Sequence, residues 1–385
     1  MEVGMESQLT VGVEEEYQLV CPATGELRSR APELLRDDWS GELQAEAQRT
    51  MVEVGTGICR HSGEVRAELA RLRAQAATSA GADDLAIVAA GVHPTSRWEA
   101  HRVSPGDRYR RLEERFGRVL RSEHVFGMHV HVGIPAGTDR MELIGRLRAY
   151  VPHLVALAAS SPVYEGADTG YASYRTILAS RLPHAGIPPR LASEDEAARL
   201  IAMFRAAGAL ERDGAVYWTI RPHETYPTVE IRCTDCCPSL DDAEALAGLA
   251  RILVAHALEG RLSASFGTLS EAAAEAVIRG NEWQAARYGL DASLIAPERP
   301  TGAVVLADAV RALLDDLVPT AEAIGEGGAL RGVEAIVQRG NAARRIREVW
   351  EECGELDAVT AWLMRETMMG VGMDRRHEQR ESRCD

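Results

Sequence analysis

The chain has 385 residues, 46% of them hydrophobic and 26% charged, a composition that supports a substantial core and excludes wholesale disorder. Its 43 basic residues against 58 acidic ones leave a net charge of −15, which argues against nucleic acid as a partner and means that an anionic substrate needs a local cation. Every basic residue is arginine and none is lysine, so Schiff-base chemistry, a Walker lysine and a carboxylated metal-bridging lysine are all excluded.

The N-terminal segment is acidic where an export signal would be basic and then apolar. The most apolar stretches, 154–159 and 246–258, fall short of the roughly 20 residues a bilayer span needs. Seven cysteines, an odd number, fit reduced thiols better than a disulfide framework. The expectation is a cytoplasmic protein with no membrane contact.

In chain order, Thr10–Val20 alternates around valines and predicts a strand, followed by a turn at Pro22, Thr24 and Gly25. Met51–Gly55 predicts a second strand, Glu64–Ala80 a helix entered through Ser62, and Leu85–Ala90 a third strand. Phe126–Ile134 predicts a strand, after which Asp139 caps a helix reaching about Ser160 with a kink at Pro152. Ser193 and Glu196 form a capping box for a helix to about Ala207. Strands are predicted at Tyr217–Arg221 and Thr228–Thr234, then helices at Ala243–Leu258, Ser270–Tyr288, Ala303–Ile324 and, with breaks, Val333–Met369. The pattern reads as one domain over 1–373 with a helical C-terminal half, and a charged, disordered tail over 374–385.

Chemistry enters through four strands whose polar residues lie two apart and therefore share a face. Glu14 and Glu16 share one face of the first strand, while Glu15 lies with Val11, Val13 and Tyr17 on the other. Glu53 stands alone between valines, and a carboxylate so placed is costly to bury unless it meets a cation. His129 and His131 share a face, as do Glu230 and Arg232. If these strands share one sheet, they build a concave wall of Glu14, Glu16, Glu53, His129, His131, Glu230 and Arg232. Hard oxygen donors with an imidazole suit Mg²⁺ or Mn²⁺ held against phosphate, and an arginine beside them suits phosphoryl transfer from ATP. Taken singly, each piece has an ordinary reading: a solvated Glu-x-Glu face, hydrogen-bonded histidines, a cross-strand ion pair. Cys233, Cys236 and Cys237 lack the second cysteine pair of a structural zinc site and read as buried thiols. The Gly325–Gly328 segment reads as a helix–helix loop rather than a lid.

The segments Thr10–Val20, Met51–Val54, Gly127–Gly133, Tyr171–Arg175, Arg221–Pro222 and Pro227–Arg232, with Asn281, Ala286–Leu290 and Arg344–Arg345, resemble the glutamate–cysteine ligase type 2 family of carboxylate–amine ligases, in order along nearly the whole chain. The resemblance implies an α+β, glutamine-synthetase-like fold: a curved, mainly antiparallel sheet flanked by helices, with ATP and divalent ions on its concave face. It implies Glu14, Glu16, Glu53, His129 and Glu230 as the metal set, with Arg232 and Glu53 catalytic. Arg175, Arg221 and His131 are implied to bind substrate. The implied reaction activates the γ-carboxyl of L-glutamate as an acyl phosphate, which the amine of L-cysteine displaces. Other readings are a different carboxylate or amine, a phosphotransferase on the same fold, a metal-dependent amidohydrolase using His129 and His131, and a silent paralogue. A homodimer is also compatible with a sheet-edged domain of this size.

Overall fold

Alternation of valines with polar residues gives the long strand at the centre of the molecule, and the other elements are arranged around it. The computed structural model describes residues 9–37, 41–212, 214–262, 266 and 269–372; the tail expected over 374–385 lies outside them. Its strands are Val11–Val20 (β1), Leu43–Ala45 (β2), Met51–Gly55 (β3), Ala86–Val88 (β4), Gly127–Gly133 (β5), Val163–Tyr164 (β6), Ala167–Asp168 (β7), Ile220–Pro222 (β8), Thr228–Asp235 (β9), Ser293–Ile295 (β10) and Ala303–Val305 (β11). The first half of the chain contributes the helices Ala31–Asp37 (α1), Ser62–Gly81 (α2), Asp107–Phe116 (α3), Arg118–Arg121 (α4), Arg140–Leu147 (α5), Val151–Ala158 (α6) and Tyr174–Ala179 (α7). Later come Glu194–Ala206 (α8), Leu240–Leu258 (α9), Glu271–Tyr288 (α10), Leu306–Ala323 (α11), Gly327–Arg339 (α12), Ala342–Cys353 (α13) and Leu356–Met368 (α14).

Seven strands form one sheet, six in the order β2-β3-β1-β5-β9-β8 with β4 added beside β1, and every pairing is antiparallel. β1 is long enough to serve two partners on one side, pairing β5 over Val11–Glu15 and β4 over Gln18–Val20, with β3 on its other side over Glu14–Gln18. The expected curvature is corrected here: the sheet is open, neither curled nor closed. Its edge strands β2 and β8 are three residues each and do not pair with one another, and β8 ends at Pro222, which has no N–H to extend a ladder. The polar face is therefore an open wall, not a cup.

The other face packs on helices. Val11, Val13, Met128, Val130, Val132, Val229 and Ile231 join a core with α9, a helix buried along nearly its whole length and lying against α2 and α12. Glu15 falls on this apolar face and meets Arg73 of α2 in a bidentate pair at 2.6 and 3.0 Å, both side chains being fully buried. Three main-chain carbonyls, of Pro238, Thr367 and Cys237, accept the remaining Arg73 donors.

Several boundaries differ from expectation. His61, not Ser62, caps α2, because the Ser62 hydroxyl is engaged by the Glu326 carboxylate. The helix expected from Asp139 to Ser160 does start at Asp139, but a 3-10 turn at Arg148–Tyr150 divides it and Pro152 opens α6. Ala303–Val305 is not the start of a helix but a strand paired with β10, and of the expected Tyr217–Arg221 strand only Ile220 and Arg221 join the sheet, with Pro222 added. Of Gly325–Gly328, only Gly325 and Glu326 belong to the helix–helix connection, Gly327 and Gly328 opening α12, and the connection is pinned by buried Glu326, whose carboxylate takes hydrogen bonds from Ser62 and Arg251. Among the described residues no helix is long and apolar enough to cross a membrane.

Candidate active site

The register of the sheet decides which polar side chains meet. Glu14 lies opposite His129, Glu16 opposite Glu53, and Glu230 opposite both His131 and Arg221. Because all of these sit on the same face, the seven residues expected to form the wall do form one, across β3, β1, β5 and β9. Glu14 reaches His129 Nδ1 at 3.1 Å and His131 Nε2 at 3.3 Å. Glu230 accepts from Arg221 at 2.6 and 3.2 Å and from Arg232. Glu16 accepts from the Gly127 amide.

Gly127 matters for what it lacks. A Cβ there would collide with the Arg175 guanidinium and lie 3.0 Å from His129 Nε2, so only glycine lets Arg175 lie across the start of β5. Arg175 donates to the Arg232 carbonyl at 3.3 Å. Its backbone is fixed through Ser161, whose hydroxyl donates to buried Asp235 at 2.6 Å.

Charge divides the acids into two kinds. Burial opposes ionisation of Glu14, but the imidazoles of His129 and His131 outweigh it and hold the carboxyl well below the usual range. Burial also opposes ionisation of Glu230, yet Arg232 and Arg221 bring it down to about 2. Glu16 and Glu53 have no such compensation. Burial, then the charges of Glu46, Glu14 and Glu16, push Glu53 up to about 9; burial and Glu46 lift Glu16 to about 7 despite Arg175. Burial and then Arg232 depress His129 to about 4, which leaves its imidazole neutral. Donor atoms of Glu16, Glu53 and His129 all lie within 4.8 Å of one another, as do those of Glu14, His129 and Glu230. Two under-compensated carboxylates with a neutral imidazole fit a hard divalent cation, the missing positive charge being what an ion would supply.

A third group within the same distance is His131, His223 and Glu230. His223, which sequence reasoning did not single out, is better read as a donor. Its Nδ1 accepts from the Thr225 and Tyr226 amides at 3.2 and 3.0 Å, so the neutral ring carries its proton on Nε2. Its ring stacks on Tyr226 at 4.7 Å between centroids and meets His131 edge-on at 5.3 Å. It lines a cavity of about 310 Å³ with Arg140, Tyr226 and the Pro135–Thr138 loop. Glu46 was also missed. It follows β2, and the short period-two run Leu43-Gln44-Ala45-Glu46 is the signal that could have shown it.

Other motif residues hold structure instead. Asn281 hydrogen-bonds both backbone groups of Ile295, and Arg345 pairs with Asp242 and Glu366. Cys233, Cys236 and Cys237 are buried, and burial raises all three thiols. No cysteine appears in any group of the described residues able to hold a metal.

The sequence model of the glutamate–cysteine ligase family 2 (GCS2) matches residues 10–377. A relative from Roseiflexus castenholzii is 37% identical over 369 residues, covering 94% of this chain and 95% of its own. Another, from Herpetosiphon aurantiacus, is 34% identical over 371 residues, covering 95% and 94%; both carry the provisional name glutamate–cysteine ligase 2. Among solved structures, the glutamate–cysteine ligase of Francisella tularensis in complex with AMP superposes with a TM-score of 0.69 at 13% identity, covering 94% of this chain and 89% of that one. A bifunctional glutathione synthetase from Pasteurella multocida gives 0.67 at 14% identity, over 95% of this chain and 53% of that one. At such identities the likeness is one of fold.

Proposed function

The chain belongs to the glutamate–cysteine ligase family 2 and is a carboxylate–amine ligase of that type, and from that premise we propose that it couples ATP cleavage to joining the γ-carboxyl of L-glutamate to the amine of L-cysteine. The observation that carries this reading is the single face shared by Glu14, Glu16, Glu53, His129, Glu230 and Arg232. Glu14, Glu16, Glu53, His129 and Glu230 would hold Mg²⁺ or Mn²⁺. Such ions supply charge neutralisation to the phosphates of ATP.

The remaining work falls to the chain's own groups. Arg232 is fixed through Glu230 and offers its guanidinium to the phosphoryl group as it passes to the γ-carboxylate. Arg221, anchored by Glu230 and by the Val216 carbonyl at 3.0 Å, adds a second positive charge at the same end. His131 and Arg175 bind substrate oxygens on either side of His129. The acyl phosphate so formed is attacked by a neutral amine, inorganic phosphate leaves, and the amine proton passes to solvent. No protein nucleophile is required, which suits a chain without lysine.

The test is ADP release from Mg²⁺-ATP with L-glutamate, with and without a panel of amines including L-cysteine, together with mass spectrometry of the product. A γ-glutamyl amide of cysteine is expected. ADP release only with another carboxylate or amine would overturn the substrate assignment, and none with any pair would overturn the ligase reading.

A further inference from the structure

Beside the wall, an arginine and a carboxyl group each have a buried polar atom and no ion-pair partner among the described residues. Arg175 is 6% exposed, makes no ion pair among the described residues, and leaves Nε without an acceptor. Glu123, in the loop that leads into β5, makes none either, and its Oε2 is buried with no donor. The loop is held firmly. Gln48 donates to the Leu120 and Glu123 carbonyls at 2.7 and 3.3 Å, while Arg181 spends its guanidinium on the Ser122 hydroxyl and carbonyl. Thr219 adds a third orphan: its backbone pairs with Arg232 at 2.8 Å, and its buried hydroxyl has no partner. Glu123 lies within electrostatic reach of Arg175, Arg181 and Glu16, and Tyr217 feels both Glu123 and Arg232. The unpaired acid, the unpaired guanidinium and the proposed reacting centre are thus one neighbourhood.

A buried charge left without a partner is expensive. Arg175 and Glu123 remain apart rather than neutralising each other, and a zwitterion placed between them satisfies both. We propose that Glu123 binds the α-ammonium, and Arg175 the α-carboxylate, of the amino acid whose side-chain carboxyl is activated. This inference rests on the ligase reading and deepens it. Chemistry decides which substrate is meant: the acceptor must present a neutral amine to attack the acyl phosphate, and a carboxylate that holds its ammonium would oppose that. The ammonium at Glu123 is therefore the spectator group of the carboxyl donor. Burial lifts the Glu123 carboxyl to about 8, which fits an acid that lacks its counter-charge until substrate arrives.

The experiment compares L-glutamate with glutarate, which keeps the reacting carboxyl and lacks the ammonium, using saturating Mg²⁺-ATP and L-cysteine in wild type and Glu123→Gln. Wild type should prefer glutamate in kcat/KM by about 10- to 100-fold, the value of one charge-assisted hydrogen bond. In Glu123→Gln the preference should fall to within a few-fold of unity, through a raised KM for glutamate and an unchanged KM for ATP. The ratio is internal to each preparation and does not depend on how much of it is folded. An undiminished preference in the variant overturns the proposal, as does a loss confined to kcat, which would make Glu123 a base for the acceptor. A wild type that forms no cysteine amide from either compound refutes instead the substrate assignment on which this proposal rests.

Discussion

Replacing Glu53 by Gln separates the electrostatic account of the site from catalysis. In metal-free protein the Glu53 carboxyl is raised by burial and then by Glu46, Glu14 and Glu16, from an ordinary 4.5 to about 9. Between those values the folded chain holds a proton that the unfolded chain has released. Stability contributed by the protonated group is therefore full below about pH 4.5 and is lost as pH rises towards 9. The slope is set by proton count: one extra proton in the folded state removes about 1.4 kcal/mol per pH unit. Gln carries no titrating proton, so the stability difference between variant and parent should move in favour of the variant by roughly 2–3 kcal/mol between pH 6 and 8. Urea denaturation in chelator at pH 6, 7 and 8 measures it, and added Mg²⁺ should restore the parent far more than the variant. A difference that stays flat with pH would refute the placement of Glu53 among under-compensated acids. The same variant should lose turnover, and near-wild-type activity would remove Glu53 from the metal set.

Further expectations follow from neighbouring geometry. Arg232→Lys keeps the charge but loses the planar fork that serves Glu230 and the phosphoryl group together; kcat should fall by about 10²-fold or more, and full activity would reduce Arg232 to a partner of Glu230. Gly127→Ala would push Arg175 and His129 apart, so kcat/KM should drop by roughly 10²-fold with little change in melting temperature; an active variant would show that Arg175 need not lie there. Glu15→Gln leaves Arg73 buried without its carboxylate and should cost ~3 kcal/mol in chemical denaturation while folded enzyme keeps its kcat. A loss below ~0.5 kcal/mol would mean that the three carbonyls around Arg73 suffice.

The parts of the fold legible in the sequence are those where valine alternates with polar residues over five or more positions. β1, β3, β5 and β9 are of this kind, and since their polar residues fall on one face by period alone, the wall of Glu14, Glu16, Glu53, His129, His131, Glu230 and Arg232 was legible too. Strands of three residues such as β2 and β10 give too few alternations, β8 was caught only over Ile220 and Arg221, and missing β2 hid Glu46. α3 has no buried residue and so no apolar stripe to announce it. β11 was absorbed into the helix that follows, because Val304 and Val305 continue an apolar pattern and only the pairing with β10 distinguishes them. Glu15 could be placed on the apolar face, but its partner Arg73 is 58 residues away and no local pattern joins the two. Concavity was expected from the shared polar face and curvature from the resemblance, and neither follows from strand patterns. Whether a sheet closes depends on how its edges pair, and the edges here are its shortest, least legible strands. Glu123 stands alone in a loop, and only its burial without a partner marks it.

The most direct measurement uses L-glutamate carrying oxygen-18 in its γ-carboxyl, incubated with Mg²⁺-ATP and L-cysteine. Activation through an acyl phosphate predicts one oxygen-18 atom in the inorganic phosphate and loss of one from the γ-glutamyl product. Unlabelled phosphate formed alongside ADP would show that ATP is cleaved without activating the carboxyl, and would contradict the reaction assigned to this face of the sheet.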